Sequence, residues 1–389
     1  MPTDQVCLAD LPTPALILDI SRVERNCERM IRRAAQLGVQ LRPHMKTAKS
    51  ADVARLATRE RSVGITVSTI AEIEYFAREG FGDITYAVGI AAHKLPVLAR
   101  LQREHGTRIR LVADSVHAVT EVAQQAAALG ERFSLFIEID CGGGRGGVTA
   151  DGPELLPIAQ VVQASPMLSL SGVLTHAGQS YDGTSVSEVR EIAEQERAAV
   201  VQAADRLRAA GIAVPSVSVG SSPTAVHAGS LAGVTEMRPG VYTLFDLAQT
   251  SLGSCTVDDI AVSVLTTVIG HNPRSQRMLI DAGALALSKD VSANRQGMNV
   301  GFGLACPMNG GPPFADMHVA DVNQEHGLIA AAASHEAMVE RFPVGARLRV
   351  LPNHACLTAA PYGRYYVVRG DNTEIVGVWT KCTGWTSSG

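Results

Sequence analysis

Short apolar and β-branched runs alternate with amphipathic stretches between Val39 and Thr243. Between these runs, apolar residues recur at the spacing of one helix face. Strands that alternate with helices in this way are typical of a parallel sheet. The eight predicted strands are VQLRPHMK, VGITVS, DITYAV, RIRLVA, FSLFIEID, LSLSGVLTH, VPSVSVG and EMRPGVYT.

Residues typical of helix starts and ends support the predicted helices. Thr69 is followed three residues later by Glu72, which is the capping-box pattern of a helix start. The stretch Ser115–Gly130 places Val116, Val119, Val122 and Ala126 along one stripe and ends on a glycine. The longest candidate helix, roughly 185–211, is charged on one face and rich in alanine and valine on the other.

Eight strands alternating with helices predict an α/β protein built on a (β/α)8 TIM-type barrel. The helical stretch SRVERNCERMIRRAAQLG, which precedes the first strand, would pack outside the barrel. The alternative is an open doubly wound sheet. No GxGxxG follows the first strand, so a dinucleotide-binding version of that sheet lacks its usual support.

The sequence pattern changes after about residue 255, where β-like runs such as IAVSVLTTVIG and ARLRVLPN replace the helical repeats. This pattern predicts a C-terminal, mostly antiparallel β-domain. We therefore expect a barrel over 21–250 and a β-domain over 251–389. The N-terminal segment 1–20, with TPALILDI, either joins the β-domain or leads into the barrel.

Composition excludes several classes of function. Hydrophobic residues make up 46% of the 389 residues and charged residues 19%, which is enough for a sizeable core. The net charge of −4 provides no basic field for nucleic acid or an anionic membrane. The N-terminus lacks a signal-peptide pattern, and no apolar run is long enough to span a membrane. Seven cysteines without a CxxC pair are typical of reduced thiols, so we expect a cytoplasmic protein.

Reactive and glycine-rich elements fall repeatedly at the carboxyl ends of the predicted strands, where barrel active sites lie. Lys46 ends the first strand, and Arg145 follows the fifth in DCGGGRGGV. His176 ends the sixth strand and Gly220 follows the seventh. Lys46 is either a solvated lysine or the covalent anchor of a cofactor, and this shared placement favours the second interpretation.

The segment GSSPT, Gly220 to Thr224, suits a phosphate, because its small residues let backbone N–H groups approach the oxygens. A helix-capping turn explains the same residues equally well. In the glycine-rich loop, Arg145 could contact a phenolate or a carboxylate. A solvated arginine in a flexible loop is the alternative there.

The segment PNHAC places His354 and Cys356 two residues apart on a predicted extended segment, where their side chains share one face. Imidazole nitrogen and thiolate sulfur suit Zn²⁺, although two ligands would leave the remaining positions to water or substrate. A coincidence of core residues is the alternative. Glu325 and His326 in NQEHG are either substrate contacts or part of a surface turn.

Together these motifs resemble the fold-type III pyridoxal-phosphate enzymes of the D-serine dehydratase / D-threonine aldolase family, which have an alanine-racemase-like barrel. The resemblance covers nearly the whole chain through TPALILD, RPHMKTAKS, ITVSTIAEIEYF, EIDCGGGRGGV, GVLTHAGQSY, GSSPTA, EMRPGVYTLFD, NQEHG and LPNHACLTAA.

The resemblance implies a role for each site residue. Lys46 would be the catalytic residue and would bind pyridoxal 5'-phosphate covalently. Arg145 would approach the cofactor phenolate and Arg238 the pyridine nitrogen. His354 and Cys356 would bind zinc, with manganese and magnesium as alternatives. The complete set of implied cofactor-binding residues is Lys46, Arg145, His176, Tyr181, Gly220, Ser221, Ser222, Thr224, Arg238 and Tyr242.

Within the family, aldolases typically carry His-x-Asp at the metal site and dehydratases His-x-Cys. The HAC of this chain is similar to the D-threo-3-hydroxyaspartate dehydratase type. We therefore expect a carbon-oxygen lyase that converts a D-3-hydroxy amino acid, D-threo-3-hydroxyaspartate or D-serine, to a 2-oxo acid and ammonia. The alternatives are an aldolase that releases glycine and an aldehyde, an amino-acid racemase, and a non-catalytic cofactor carrier. The resemblance also implies a homodimer.

Overall fold

A computed structural model describes residues 6–59, 62–295 and 297–385. The chain divides into two compact units. The barrel unit consists mainly of Arg29–Lys46 and Ala57–Gly240. The β unit consists mainly of the described residues up to Glu28, Thr47–Leu56 and Val241–Thr383.

Strands β1 to β18 of the described residues are, in chain order, Ala15–Asp19, Gln40–Leu41, Ile65–Val67, Asp83–Gly89, Arg108–Ala113, Phe133–Asp140, Val148–Thr149, Leu168–Thr175, Ser216–Val219, Glu236–Met237, Val262–Asn272, Arg277–Ile280, Gly303–Pro307, His318–Val322, Gly327–Ala330, Arg347–Pro352, Arg364–Val368 and Gly377–Thr380.

Helices α1 to α13 of the same residues are Ile20–Gln36, Ala51–Ala57, Ile70–Arg78, Leu95–His105, Val116–Leu129, Leu155–Ala164, Val186–Ala209, Ser222–His227, Leu247–Ser251, Ala284–Leu287, Ser292–Arg295, His335–Arg341 and Ala355–Ala359. Short 3-10 helices cover Leu8–Asp10, Ala92–Lys94, Gly178–Asp182, Val241–Thr243 and Val257–Asp259.

The barrel unit is built on parallel strands in the order β2-β10-β9-β8-β6-β5-β4-β3. Parallel bridges from Leu41 to Ser62 and from His44 to Thr66 join the two ends of this order into a ring. All eight predicted barrel strands are present, and the TIM-type barrel is confirmed. An open doubly wound sheet is excluded, because its two edge strands would not pair.

Side-chain caps begin the barrel helices as the sequence predicts. Thr69 Oγ1 accepts a hydrogen bond from the N–H of Glu72 at the start of α3, and Ser185 caps α7 in the same way. Gly130 ends α5 in the left-handed conformation, with φ at 63°. The predicted stripe on α5 is buried except for its first member, Val116, which is 40% exposed because it opens the helix.

The β unit contains a ring of antiparallel strands. Strands β12, β15, β14, β13, β16 and β11 follow one another, and β12 pairs back to β11. Strand β1 pairs antiparallel with β11 and parallel with β17. The N-terminal TPALILDI segment therefore joins this sheet, a choice that the sequence leaves open.

Strands β13 to β15 were not predicted. Glycine and proline are frequent around residues 301–313, which concealed β13. Gly303 shows why glycine occurs inside β13. Its φ is +147°, and a Cβ there would lie 2.6 Å from the carbonyl oxygen of Leu351 on the paired strand β16. The strand pairs closely because this residue has no side chain.

No helix in the part of the chain that the structure describes is long and apolar enough to cross a membrane. All seven cysteines lie within the described residues, and none forms a disulfide.

The barrel core includes a contact cluster of Val112, Phe136 and Leu174, contributed by β5, β6 and β8. We predict that Phe136→Ala lowers the free energy of unfolding by about 3–5 kcal/mol, because it removes a fully buried ring and leaves a cavity. Urea unfolding measures this change. The exposed control Val116→Ala should change stability by no more than about 0.5 kcal/mol, and equal effects of the two substitutions would contradict the core assignment.

Candidate active site

A cavity of about 450 Å³ lies in the barrel unit and is lined by residues that follow the strands. Its size is within the usual range of small-molecule sites, about 300–1,000 Å³. Predicted site residues that line it are Lys46, Arg145, His176, Gly220 and Arg238. Five separate strand ends contribute them, as expected of a barrel active site.

His44 also lines the cavity, two residues before Lys46. The backbone N–H of Lys46 donates to His44 Nδ1 at 3.4 Å, so that nitrogen carries no proton. The ring proton is then on Nε2, which lies 3.4 Å from Ser68 Oγ. Burial, followed by the charges of Lys46 and Arg238, lowers the pKa of His44 well below its usual range. A neutral imidazole therefore accompanies Lys46, a feature that the RPHMK motif alone did not reveal.

His176 is a second neutral imidazole. Its Nδ1 donates to the carbonyl oxygen of Gly220, so its Nε2 is an acceptor. Burial and then the charge of Lys46 lower the pKa of His176 to about 3. The ring is held in one tautomer because a carbonyl oxygen can only accept a hydrogen bond.

Arg238 is 5% exposed, and both of its terminal nitrogens donate hydrogen bonds. Its Nη2 donates to the carbonyl oxygen of Thr175 at 2.6 Å, and its Nη1 donates to Ser218 Oγ. Ser218 in turn donates to Glu236 Oε1 at 2.7 Å. These hydrogen bonds hold the guanidinium of Arg238 at the cavity, and the carboxylate of Glu236 supplies a nearby negative charge.

Glu236 is also paired with Arg42, whose Nε lies 3.1 Å from Glu236 Oε2. The other side of Arg42 pairs with Asp83 at 2.6 Å, and Asp83 pairs with Arg110 at 2.6 Å. Charges of alternating sign thus run through the barrel to Arg238. Buried ions are tolerated when they are paired and hydrogen-bonded in this way.

Carboxylates anchor the glycine-rich loop that carries Arg145. Asp140 Oδ1 accepts from the N–H of Gly142 at 2.9 Å, and Asp114 Oδ2 accepts from the N–H of Gly147 at 3.1 Å. Arg145 is 62% exposed, and its Nη2 lies 3.6 Å from Glu138 Oε1. Asp114 and Glu138 line the cavity. The sequence pattern places Asp114 at the end of the fourth predicted strand, but it did not single out Glu138 as a site residue.

In GSSPT the hydroxyls of Ser221, Ser222 and Thr224 already have partners within the barrel unit. Ser221 Oγ accepts from the N–H of Thr224 at 3.0 Å and caps α8. Ser222 Oγ accepts from the N–H of Gly240 at 3.1 Å. The N–H groups of Gly220 and Thr224 are also bonded, and proline has no N–H. A phosphate here would therefore depend mainly on the N–H groups of Ser221 and Ser222. The N–H of Ser222 lies 3.4 Å from the hydroxyl of Tyr181.

The barrel cavity suits pyridoxal 5'-phosphate. It combines a lysine amine, a neutral imidazole acceptor and a buried guanidinium. Gly220 keeps space open beside Arg238, since a Cβ there would lie 3.1 Å from Arg238 Nη2. Each predicted role of these residues stays a prediction.

Tyr242 belongs to the β unit. Its hydroxyl is buried without a hydrogen-bond partner among the described residues, and burial raises its pKa well above the usual range. A buried hydroxyl of this kind normally has a partner, such as a water or a bound group.

The predicted metal ligands lie at the start of α13 in the β unit. His354 is extended and precedes the helix, whereas Cys356 lies in its first turn. The prediction that both residues lie on an extended segment is therefore wrong, because the helix begins between them. Their side chains nevertheless meet. Burial lowers the pKa of His354, but hydrogen bonds to Asp290 and Cys356 outweigh burial and raise it to about 11.

Two carboxylates fix this pair. Asp290 Oδ2 accepts from His354 Nδ1 at 2.9 Å, so a metal would bind His354 through Nε2 and would replace the hydrogen bond to Cys356. Asp246 Oδ2 accepts from the N–H of Ala355, the first residue of α13, at 2.9 Å. The Sγ of Cys356 lies 3.0 Å from Thr47 Oγ1.

This donor set fits a divalent metal. Imidazole and thiolate are typical ligands of zinc. In the described ranges no group of three or more His, Cys, Asp or Glu residues is arranged around a metal position. Two protein ligands would consequently leave coordination positions open for substrate oxygens.

The NQEHG segment is a surface turn. It connects β14 and β15, and the N–H of Asn323 donates to the carbonyl oxygen of His326 at 2.8 Å. Glu325 and His326 are exposed. The surface-turn interpretation is therefore the one that the structure supports.

Comparison with known proteins finds matches along nearly the whole chain. The family described as alanine racemase, N-terminal domain, matches residues 18–247. The family described as putative serine dehydratase domain matches residues 261–368.

Individual relatives match at full length. The chain is 45% identical to the D-threo-3-hydroxyaspartate dehydratase of Delftia sp. (strain HT23), over 98% of this chain and 100% of that protein. It is 32% identical to the D-serine dehydratase of Dictyostelium discoideum, over 94% of this chain and 95% of that protein. It is also similar to a solved D-threo-3-hydroxyaspartate dehydratase mutant in the metal-free form, with a TM-score of 0.93, 43% identity, and coverage of 98% of this chain and 100% of the other.

We predict that the ring of His176 stays neutral, with its proton on Nδ1, between pH 5 and 8 in the cofactor-free protein. Its pKa of about 3 is below the ordinary value of about 6.5. Between about pH 3 and pH 6.5 the unfolded chain therefore binds more protons than the folded chain. The contribution of His176 consequently lowers the free energy of unfolding as the pH falls through this range. Histidine ¹⁵N NMR measures the protonation state, and His176→Asn assigns the signal. A titration midpoint above pH 5 would be the contradicting result.

Proposed function

Because the chain belongs to the fold-type III pyridoxal-phosphate family of the D-serine dehydratases and D-threonine aldolases, we propose that it dehydrates a D-3-hydroxy amino acid. The products would be a 2-oxo acid and ammonia. The observation that carries the choice of reaction is the contact between His354 and Cys356, because a His-x-Cys pair is the dehydratase pattern. The preferred substrates are D-threo-3-hydroxyaspartate and D-serine.

Lys46 is the proposed catalytic base and covalent anchor. When bound, pyridoxal 5'-phosphate supplies an electron sink for the electron pair left at the substrate Cα. The amine of Lys46 would accept the Cα proton of the substrate. His44 and His176 border the same cavity as neutral groups. They would orient the bound molecule by hydrogen bonds. A neutral imidazole attracts a bound anion less strongly than a protonated one, so charge would contribute little here.

His354 and Cys356 are the proposed ligands of a divalent metal, with zinc first and manganese or magnesium as alternatives. A bound metal would supply Lewis acidity for the hydroxyl that leaves Cβ. Asp290 would fix the ring orientation of His354 through the bond to Nδ1. A relative solved in the metal-free form supports this part of the proposal. We also propose a homodimer that acts in the cytoplasm.

We predict that the purified protein is yellow and converts D-threo-3-hydroxyaspartate or D-serine to a 2-oxo acid plus ammonia. Product analysis on D-serine, D-threonine and both 3-hydroxy-D-aspartates is the test. Lys46→Ala should lose the colour and reduce turnover at least about 10³-fold, because the covalent anchor and base are removed. Glycine and an aldehyde would indicate an aldolase instead, and an inverted amino acid a racemase. A colourless protein that pyridoxal 5'-phosphate cannot reconstitute would overturn the cofactor assignment.

We also predict that chelation abolishes dehydration and that zinc or manganese restores it, since the hydroxyl would then lose and regain its Lewis acid. Metal content and turnover are measured on the same samples. Cys356→Ser should bind less metal, while the exposed control Glu325→Gln should retain it. Unchanged turnover after verified metal removal would eliminate the metal from the reaction.

A further inference from the structure

The carboxylate of Glu196, on helix α7, is buried in the barrel unit and is 1% exposed. Its Oε1 accepts from the N–H of Ala177 at 2.9 Å and from the N–H of Gly220 at 3.1 Å. Its Oε2 accepts from Thr224 Oγ1 at 2.7 Å. One side chain of an outer helix therefore binds the loops that follow two neighbouring strands, β8 and β9.

These bonds act on the segments that border the cavity. Ala177 directly follows His176, and Gly220 and Thr224 are the two ends of the GSSPT loop. Gly220 is held twice, because its carbonyl oxygen also accepts from His176 Nδ1. These hydrogen bonds therefore fix the conformation of the loop.

Further hydroxyl contacts tie the loop to the same carboxylate. Ser221 Oγ lies 2.7 Å from Thr224 Oγ1 and 3.0 Å from Ser180 Oγ. Ser180, in turn, donates to the carbonyl oxygen of Ala177 at 2.7 Å. The bonds therefore form one network that contains the carboxylate of Glu196 and, through Gly220, the imidazole of His176.

We propose that Glu196 is a positioning residue for the cofactor phosphate, acting through the GSSPT loop without touching the cofactor. This inference rests on the proposed function. Backbone N–H groups can bind a phosphate well only if the loop is already ordered, since ordering it on binding would cost affinity. A buried carboxylate supplies strong, charge-assisted bonds for this purpose.

The charge of Glu196 and its geometry have opposite effects on a phosphate. A carboxylate repels a phosphate dianion, so its contribution to binding must come from the loop conformation that it holds. Glutamine separates the two effects. Its amide oxygen can accept from Ala177 and Gly220, and its amide nitrogen can donate to Thr224.

The test compares affinities for pyridoxal 5'-phosphate and for pyridoxal, which lacks the phosphate, by absorption titration of the full-length protein. Glu196→Leu should weaken pyridoxal 5'-phosphate binding about ten- to a hundredfold, since three bonds to a charged acceptor are lost. Pyridoxal binding should change less than about threefold, because it does not use the phosphate loop. Glu196→Gln should restore the preference for the phosphorylated ligand. The matched control is Glu191→Leu, an exposed position of the same helix, and should behave as wild type.

Several results would overturn the inference. Equal losses for both ligands would make Glu196 a general structural residue, and no loss would remove its role. A Gln variant as weak as Leu would show that charge, not loop geometry, decides binding. If Glu196→Leu does not fold, Thr224→Val removes one bond only. It should produce a phosphate-selective loss of about three- to tenfold, and an equal or absent loss contradicts the proposal.

The same titration separates this inference from the proposed function. A wild-type protein that binds neither ligand would overturn both. A wild-type protein that binds pyridoxal 5'-phosphate and dehydrates its substrate, with an unchanged ligand preference in Glu196→Leu, would overturn only the role of Glu196.

Discussion

Closure of the parallel strands into a ring is the constraint on which the barrel site depends. In a closed parallel barrel every strand ends at the same rim, so residues distant in sequence must meet there. The bridges at Leu41 and His44 complete this closure. Lys46 lies just beyond them, and the ends of β6, β8, β9 and β10 supply its neighbours in the cavity. Without closure the same residues would be spread along an open edge.

Buried charges hold the polar groups at this rim in place. Arg42 and Glu236 link Arg238 to Asp83 through the barrel. On the outside, Glu196 binds the loops after β8 and β9. A buried ion is costly when it lacks partners, so these groups persist only where every bond is made. Hydrogen bonds to Gly220 and from Lys46 set the tautomers of the two imidazoles at the rim.

The β unit uses the same kind of support for a different chemistry. Asp246 binds the first amide of α13, and Asp290 binds the ring of His354. These carboxylates come from segments that the sequence pattern did not connect with PNHAC. Together they orient an imidazole and a thiol toward one another at a helix start.

The sequence by itself determined the number and order of the barrel strands, because apolar periodicity is a local property. It also placed Lys46, Arg145, His176 and Gly220 at strand ends, since position along a strand needs no knowledge of packing. Tertiary structure decided the rest. The path of the PNHAC segment, the strands within the glycine- and proline-rich region, and the roles of His44 and Glu196 all depend on contacts between residues far apart in the chain. The helical spacing of Val189, Ile192 and Val200 places Glu196 on the buried face, but no local pattern encodes which loops its carboxylate contacts.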